Sequence, residues 1–375
     1  MKVVIVGGYG VFGALAARLL VRDGHQVWLA GRRPEKGRAI AKEIGAQTLK
    51  VDILDNTEAL FQVKPDAVID AAGPFQNYGS DPYKLPRLCI VHGCHYLDLS
   101  DSSDFTGGIS TLNAEAEAAQ VFALSGASSV PGLSSVVVSN LSRDMTEIDE
   151  IDIAILPGNR APRGLSVIKS IVGVVGRPYQ ILRDGSWQET TGWTDRKDYT
   201  LAPGLTRPGY SVNVPDITLL PQMTGAKTVT FRAGLELALM NWALVLLSRL
   251  RQRARLELPE PVIRALYLVS KILYPFGTDR GGMQVRVSGK KDGQRVERIW
   301  TLVAEKGDGP YVPGMLCRAI LRNPDAIPAG ARPCLAELPR AEVEAAMSDL
   351  AIRTNLNGLA NEQRESDRAP APPQA

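Results

Sequence analysis

The 375-residue chain has few of the residues that build metal centres or disulfide frameworks, with only three histidines and four cysteines. The cysteines form no Cys-x-x-Cys pair and show no metal-ligand spacing, which predicts reduced thiols in a cytoplasmic protein. They are Cys89, Cys94, Cys317 and Cys334, and the histidines are His25, His92 and His95. No metal site is therefore expected.

The chain also lacks a strong charge and a long apolar run. Lysine and arginine number 43 against 40 acidic residues, and this net charge of +3 is spread evenly, so no nucleic-acid partner is expected. The apolar stretch from Leu235 to Leu247 is shorter than the roughly 20 residues of a transmembrane helix, and it contains Glu236 and Asn241. The length and an apolar fraction of 45% predict a globular protein that has two domains with well-buried cores.

The most informative pattern that is present lies at the N-terminus. Residues Lys2 to Gly7 form a short apolar run typical of a β-strand, and Gly8-Tyr9-Gly10-Val11-Phe12-Gly13 follows at once. A helical pattern from Ala14 to Leu20 then leads to a second strand pattern, Gln26 to Ala30. A strand, a G-x-G-x-x-G turn, a helix and a strand in this order predict the opening of a dinucleotide-binding βαβ unit.

Each glycine of this turn has an expected task. Gly8 permits the tight turn, Gly10 lets the backbone approach a pyrophosphate, and Gly13 lets the helix pack closely on the strand. The free N–H groups and the dipole of the helix N-terminus favour phosphate at the same place. After the second strand the chain reads Gly31-Arg32-Arg33, where an NAD site usually has a carboxylate. Two guanidinium groups suit a 2′-phosphate, so NADP(H) is favoured over NAD(H).

Apolar strand patterns alternate with helical patterns as far as Leu124, which predicts a parallel sheet covered on both faces. We expect residues 1–130 to form an NADP-binding Rossmann domain, completed by helices from about 309–355. Residues 131–308 are predicted to form an α+β domain with an antiparallel sheet, used for substrate binding or oligomerisation. The polar, proline-containing residues 356–375 are predicted to be a disordered tail. The expected fold class is α/β with an α+β insert.

Residues 233–274 of the insert contain two apolar helical patterns joined by a basic linker. Its arginines are Arg249, Arg251, Arg253 and Arg255. One interpretation is a buried helical hairpin or a subunit interface, in keeping with a homodimer. The other is a hairpin that rests on one membrane leaflet as a peripheral contact, anchored by these arginines.

Several short motifs occur in the order that is found in a known family. They are Gly8 to Gly13, Ala30-Gly31-Arg32, Ala71-Ala72-Gly73-Pro74-Phe75, Gly93 to Leu99, Ser129-Val130-Pro131-Gly132, Phe276 to Met283 and Gly330 to Cys334. Together they resemble the saccharopine-dehydrogenase-like oxidoreductases over nearly the whole chain. The resemblance implies a Rossmann-type nucleotide domain and an NAD(P)-dependent transfer of hydride to or from a C=N or C=C bond of a small molecule. It does not specify the substrate.

The resemblance also implies cofactor roles for particular residues. The glycine turn would hold the pyrophosphate, the paired arginines the adenosine phosphate, an Asp-Ile pair the adenine, and the residues after the fourth strand the nicotinamide ribose. The expected cofactor-binding residues are Gly8, Tyr9, Gly10, Val11, Phe12, Gly13, Arg32, Arg33, Asp52, Ile53, Ala72, Gly73, Pro74 and Phe75. Many members of the family have a Gly-Glu pair downstream of Asp98, whereas this chain reads Ser100-Asp101, which leaves the proton donor open.

The candidate catalytic residues are Tyr96, Asp98 and Asp101, which lie at and just after the fifth strand, on the sheet edge where a substrate is expected. The alternative is that Asp98 binds backbone N–H groups while Tyr96 packs in the core.

Candidate substrate contacts in the second domain form no obvious cationic cluster, and solvated charge is the alternative role for them. They are Arg160, Arg163, Lys169, Arg177 and Trp193. With the apolar hairpin, this composition favours a lipid-like or polyketide-like acceptor over a dicarboxylic amino acid. The alternative to an enzyme is a non-catalytic nucleotide-binding scaffold or a membrane-surface-associated protein.

Overall fold

The computed structural model describes residues 1–162, 164–254 and 257–357, apart from the side chains of Asn77 and Ser166. Two of the residues named above, Arg163 and Arg255, lie outside the described residues, as does the predicted disordered tail from residue 358 onward. The first two residues of that tail, 356 and 357, lie in a strand, which corrects the prediction for them.

The elements alternate between strands and helices over the first third of the chain. The strands are β1 (Lys2–Val6), β2 (Gln26–Gly31), β3 (Gln47–Lys50), β4 (Ala67–Asp70), β5 (His95–Asp98), β6 (Phe122–Ser125), β7 (Glu147–Leu156), β8 (Pro178–Arg183), β9 (Ser186–Thr191), β10 (Lys197–Ala202), β11 (Leu205–Ser211), β12 (Thr228–Ala233), β13 (Gly281–Lys291), β14 (Gln294–Ala304), β15 (Gly330–Pro333) and β16 (Ile352–Asn357). The α-helices are α1 (Val11–Arg22), α2 (Arg38–Ile44), α3 (Lys84–Val91), α4 (Ser103–Gly108), α5 (Asn113–Ala118), α6 (Ser134–Ser142), α7 (Leu165–Val174), α8 (Asp216–Thr224), α9 (Ala238–Ala254), α10 (Glu260–Ile272), α11 (Met315–Arg322) and α12 (Arg340–Ala345).

The first sheet is parallel throughout, with the strand order β15-β6-β5-β4-β1-β2-β3. Its central strands read as unbroken apolar runs because helices cover both faces: Val3 to Val6 of β1 are all buried. α1 and α11 pack on one face, and α3 and α5 on the other. From β1 the chain adds β2 and β3 on one side, and it then crosses to the other side to add β4, β5 and β6. Ligands of such sheets bind at this switch point, beyond the carboxyl ends of the strands. The predicted α/β class is confirmed.

The second sheet has the order β10-β11-β12-β7-β13-β14-β16. It is antiparallel except that β12 lies parallel to β7, so the antiparallel sheet predicted for this region is confirmed with one parallel pair. β13 and β14 form a long hairpin whose turn, Asp292-Gly293, has positive φ at both residues, as a two-residue hairpin turn requires. The apolar side of α6 packs between this sheet and the first one, so a single core joins them.

The last part of the chain returns to both sheets. Besides helices, residues 309–355 supply β15, which extends the first sheet beside β6, while β16 pairs with β14 in the second. The sequence reading predicted only helices in this range. The almost fully buried Arg318 holds this part of the chain against the first domain. It forms ion pairs of 2.8 Å with Asp23, at the end of α1, and of 2.6 Å with Asp349. The predicted domain limits near residues 130 and 308 stay a prediction.

Candidate functional site

The glycine turn between β1 and α1 is shaped by a residue that the sequence reading placed in the strand. Gly7, not Gly8, has the left-handed conformation, with φ of 70°. A Cβ on Gly8 would lie 2.7 Å from the Ile5 carbonyl oxygen and 2.9 Å from Leu29 Cα. Gly8 is therefore required by close contact with the two strands, and the expectation that it supplies the turn conformation is corrected.

The surroundings of Gly10 and Gly13 differ from those of Gly8. Gly10 is the N-cap of α1, is exposed, and has extended backbone angles (φ −73°, ψ 173°). A Cβ on it would meet only the Gly7 carbonyl oxygen, at 3.1 Å, and would otherwise project into open space. A Cβ on Gly13 would lie 2.4 Å from the same oxygen. Gly13 thus allows close packing of the helix, while Gly10 keeps the space before the helix N-terminus empty.

A cleft lies beyond the carboxyl ends of β1, β2 and β4. The expected cofactor residues that line it are Tyr9, Arg32, Asp52, Ile53, Ala72, Gly73 and Pro74. The sequence reading missed Gly7 and Tyr78 in this lining. Both could have been found from the rule that residues after neighbouring parallel strands meet at one edge of the sheet. Gly7 directly follows β1, and Tyr78 lies in the loop after β4.

Tyr9 organises the arginine side of this cleft. Its hydroxyl accepts the backbone N–H of Arg33 at 2.9 Å. Its ring lies so close to Gly31 that a Cβ there would be 2.3 Å from the hydroxyl oxygen. The Tyr9 side chain therefore holds the loop that presents Arg32 to the cleft, whereas the Arg33 side chain is not part of the described lining.

Several other expected cofactor residues lie elsewhere. Phe75 is buried and packs against Tyr78 and Phe105, with ring centroids 5.1 Å apart in each pair, so its expected place beside the cofactor is corrected. Val11 and Phe12 form the first turn of α1, and the Phe12 ring lines a second cavity rather than the cleft.

This second cavity lies between the two sheets, at the N-terminus of α1. Ile155, Met283, Leu302 and Val312 are among its walls. Among the described residues that line it, only Ser129 and Asp279 have polar side chains. The Ser129 motif was recognised from the sequence, but the apolar walls were not, because they come from strands of the second sheet and from the helical turn Gly309–Gly314, far away in the chain. The cavity is suited to an apolar ligand.

The charged residues proposed as substrate contacts do not gather in this cavity. Arg160 donates to the Pro275 carbonyl at 3.2 Å, Lys169 pairs with Glu260 at 2.8 Å, and Arg177 pairs with Glu257. Trp193 is buried and stacks on Tyr210. The alternative of surface charge is the one that these contacts favour for the three cations.

Two of the three candidate catalytic residues are fully buried. Backbone N–H groups of Ser100 and Gly126 donate to Asp98 Oδ1 at 2.9 and 2.8 Å, and burial raises the pKa of Asp98 to about 6. Burial and the nearby carboxyl of Asp98 raise the pKa of Tyr96. Neither residue lines the cleft or the cavity. Their catalytic role stays a prediction, and these contacts favour the structural alternative.

Asp101 lies nearer to solvent, and its carboxylate accepts the Ser170 hydroxyl of α7 at 3.2 Å. The protein that crowds this position raises the pKa of Asp101.

Asp70 is a buried neighbour of Tyr96 and Asp98. The Tyr78 hydroxyl donates to its carboxylate at 2.9 Å, and the Ala72 N–H does so at 3.0 Å. Burial raises the pKa of Asp70 to about 7, and the nearby carboxyl of Asp98 adds to this rise. Tyr78 thus links this acid to the cleft, which it lines.

The raised pKa of Asp98 predicts that its ionisation opposes folding. The unfolded carboxyl loses its proton near its ordinary pKa, whereas the folded one keeps it to about pH 6, so this contribution to stability falls as pH rises from 4 to 6 and is fully lost above that. Asp98→Asn keeps the acceptor for Ser100 and Gly126 and removes the titration. The free energy of unfolding, from urea denaturation at pH 4–8, should lose a pH-dependent component on the order of 3 kcal/mol.

The matched control is the exposed Asp104→Asn, which should leave the pH profile of stability unchanged. Some pH dependence should remain in Asp98→Asn, because burial still raises the pKa of Asp70 after the contribution of the Asp98 carboxyl is lost. Parallel profiles for Asp98→Asn and the unchanged protein would show that Asp98 does not titrate as the burial implies.

Comparison with known proteins agrees with this geometry. Residues 3–124, which contain β1 to β6 and the cleft, match the family model described as the saccharopine dehydrogenase NADP binding domain. These residues are therefore similar in sequence to that domain. No curated protein sequence matches the chain significantly.

Two solved structures extend the likeness of fold beyond residues 3–124. Saccharopine dehydrogenase (L-Glu forming) from Saccharomyces cerevisiae superposes with a TM-score of 0.66 at 14% identity, covering 95% of this chain and 100% of that one. Homospermidine synthase from Legionella pneumophila, in complex with NAD, has a TM-score of 0.62 at 13% identity, covering 95% and 91%. At such identities the likeness shows the fold.

Proposed function

We propose that this protein is a nicotinamide-dependent oxidoreductase that transfers hydride to or from a C=N or C=C bond of a small molecule, with a preference for NADP(H). The observation that carries the proposal is the position of the α1 N-terminus between two concave sites. Tyr9 lines the nucleotide cleft on one side of it, and Phe12 lines the apolar cavity on the other.

The residues present fit a dinucleotide. The space that Gly10 leaves empty before the helix N-terminus suits a pyrophosphate, Arg32 suits an adenosine phosphate, and Ala72 to Pro74 suit the adjoining ribose. The cofactor, when bound, supplies or accepts the hydride. The apolar walls of the cavity exclude water from the place where the acceptor would lie, and Ser129 and Asp279 are the described polar side chains available to orient it.

The preference for NADP(H) rests on Arg32 and on the absence of an acidic residue directly after β2. We expect NADPH to bind with an affinity about tenfold or more above that of NADH, from one or two additional charge-assisted contacts. Quenching of intrinsic fluorescence during titration with each nucleotide measures this. Turnover is then followed as loss of NADPH absorbance with a panel of imines and enoyl compounds. Absence of binding by both nucleotides would overturn the proposal.

A second candidate is a protein that binds the nucleotide without catalysis. It is favoured by the scarcity of polar side chains among the described residues of the cavity and by the burial of Tyr96 and Asp98 away from it. The same experiment separates the two, because this candidate predicts tight nucleotide binding with no oxidation across the whole panel.

A further inference from the structure

Helix α9 exposes four large apolar residues and buries three polar ones. Leu239, Trp242, Leu246 and Leu250 are 63%, 64%, 43% and 47% exposed. The buried side chains of this helix include Asn241, Ser248 and Arg251. Burial of the whole hairpin within this chain is therefore not observed, because one apolar face of α9 points away from the core, and the alternatives of a subunit interface and of a membrane contact stay predictions.

The inward polar groups are satisfied by the backbone of the second domain. Asn241 donates to the Leu235 carbonyl at 2.6 Å and accepts its N–H at 2.9 Å. Ser248 donates to the Gly192 carbonyl at 2.9 Å, and Arg251 to the Val175 carbonyl at 2.9 Å. These bonds fix the orientation of α9, so its apolar face is outward by construction of the fold. Within the described residues no helix is long and apolar enough to cross a membrane.

Between α7, α9 and α10 lies a groove with almost wholly apolar walls. They include Ile168, Ile171, Leu239, Leu244, Leu266 and Leu273. The polar side chain in the described lining is Ser270, whose hydroxyl is already bonded to the Tyr267 carbonyl at 2.7 Å. Such a groove offers a ligand no hydrogen bonds, and filling it with hydrocarbon contributes about 25 cal/mol for each Å² of apolar surface removed from water.

The groove adjoins the apolar cavity at the α1 N-terminus. Ile171 and Leu235 line both of them. The apolar side chains of Ile171 and Leu235 therefore connect the walls of the groove on the helical hairpin with those of the cavity beside Phe12, where the substrate's reactive bond would lie. This continuity distinguishes the groove from an isolated hydrophobic patch.

We propose that the substrate of this protein carries a long hydrocarbon chain, such as a fatty acyl chain, which is held in the groove between α7, α9 and α10 and passes between Ile171 and Leu235 into the cavity. The inference rests on the proposed function, because it names the substrate class for the same site. It agrees with the absence of cationic side chains from the described lining of both concavities.

The test uses the full chain and the fluorescent 18-carbon probe cis-parinaric acid. Ile171→Trp fills the junction, and we expect it to lower the affinity for the probe at least tenfold, while displacement by the eight-carbon octanoate changes little. Leu250→Trp is the matched control, since it adds the same side chain to an exposed site of α9 that is not part of the groove lining. It should bind the probe as the unchanged protein does. Leu244→Gln, which places an amide in the groove, should also weaken binding and serves if Ile171→Trp fails to fold.

NADPH titration of the same samples separates the two proposals. If the unchanged protein binds NADPH but not the probe, only the proposed hydrocarbon site is overturned. If it binds neither, the proposed function is overturned as well. Equal probe affinity in all variants also overturns the hydrocarbon site, as does a dimer that buries the α9 face and excludes the probe.

The source of the hydrocarbon ligand is tested by presenting the probe either in vesicles or in solution. Uptake from phosphatidylcholine–phosphatidylglycerol vesicles assigns a bilayer source, and uptake from solution alone assigns a soluble or carrier-borne one. Either result supports the groove as the binding site.

Discussion

Gly10→Val should abolish most nucleotide affinity while leaving the fold intact. Backbone angles of −73° and 173° suit a β-branched residue, and the added Cβ would meet only the Gly7 carbonyl oxygen. The side chain would occupy the space where the pyrophosphate approaches the helix N-terminus. Loss of two charge-assisted contacts of about 1.5 kcal/mol each corresponds to an affinity about 100-fold weaker. Isothermal titration with NADPH measures the loss.

The control for this variant is its thermal midpoint without nucleotide. A less favourable N-cap costs about 0.5–1 kcal/mol, so the midpoint should fall by only a few degrees. Gly13→Val provides the contrast: its Cβ would lie 2.4 Å from the Gly7 oxygen, so both stability and binding should be lost. Unchanged NADPH affinity in Gly10→Val would place the pyrophosphate elsewhere and remove the basis of the proposed function.

Arg32→Ala should remove the preference for NADPH. The Arg32 side chain lines the cleft, and the loop that carries it is held by the bond from the Arg33 N–H to the Tyr9 hydroxyl. Deleting one guanidinium contact to a phosphate costs roughly 1.5–3 kcal/mol, which is about a 10- to 100-fold loss of NADPH affinity. NADH has no 2′-phosphate, so its affinity should change by less than about twofold. Parallel titrations with both nucleotides give the ratio.

Arg33→Ala is the matched control, because it removes an equal charge from a neighbouring residue whose backbone, rather than side chain, contacts Tyr9. It should keep most of the preference. If Arg32→Ala weakened both nucleotides equally, Arg32 would act through general charge or loop structure, and the assignment of the 2′-phosphate to it would be wrong.

The first sheet and most of the nucleotide cleft were predictable because their signals are local. A strand, a glycine turn and a helix succeed one another within 22 residues, and the residues after each parallel strand necessarily meet at one edge. The role of Gly7 was missed for a local reason: two adjacent glycines leave open which of them takes the positive φ, and only the contacts of Gly8 with Ile5 and Leu29 decide it.

The rest depended on contacts between distant parts of the chain. The outward apolar face of α9 follows from the bonds of Ser248 to Gly192 and of Arg251 to Val175, which no helical periodicity reveals. Asp98 lies at a strand end, where a catalytic acid was expected, but the Gly126 N–H that binds it comes from the loop after β6. The strands β15 and β16 are short, and their pairing partners precede them by some 200 and 50 residues.

The return of the chain has a consequence for how the molecule can be divided. β15 and β16 belong to one short C-terminal stretch but complete different sheets, and Arg318 ties that stretch to the end of α1. Residues 1–130 expressed alone would leave the edge of β6 unprotected, and the insert expressed alone would lack its last strand. Both sheets thus depend on the same C-terminal stretch. Neither half could be transferred to another protein by engineering or recombination without including this stretch.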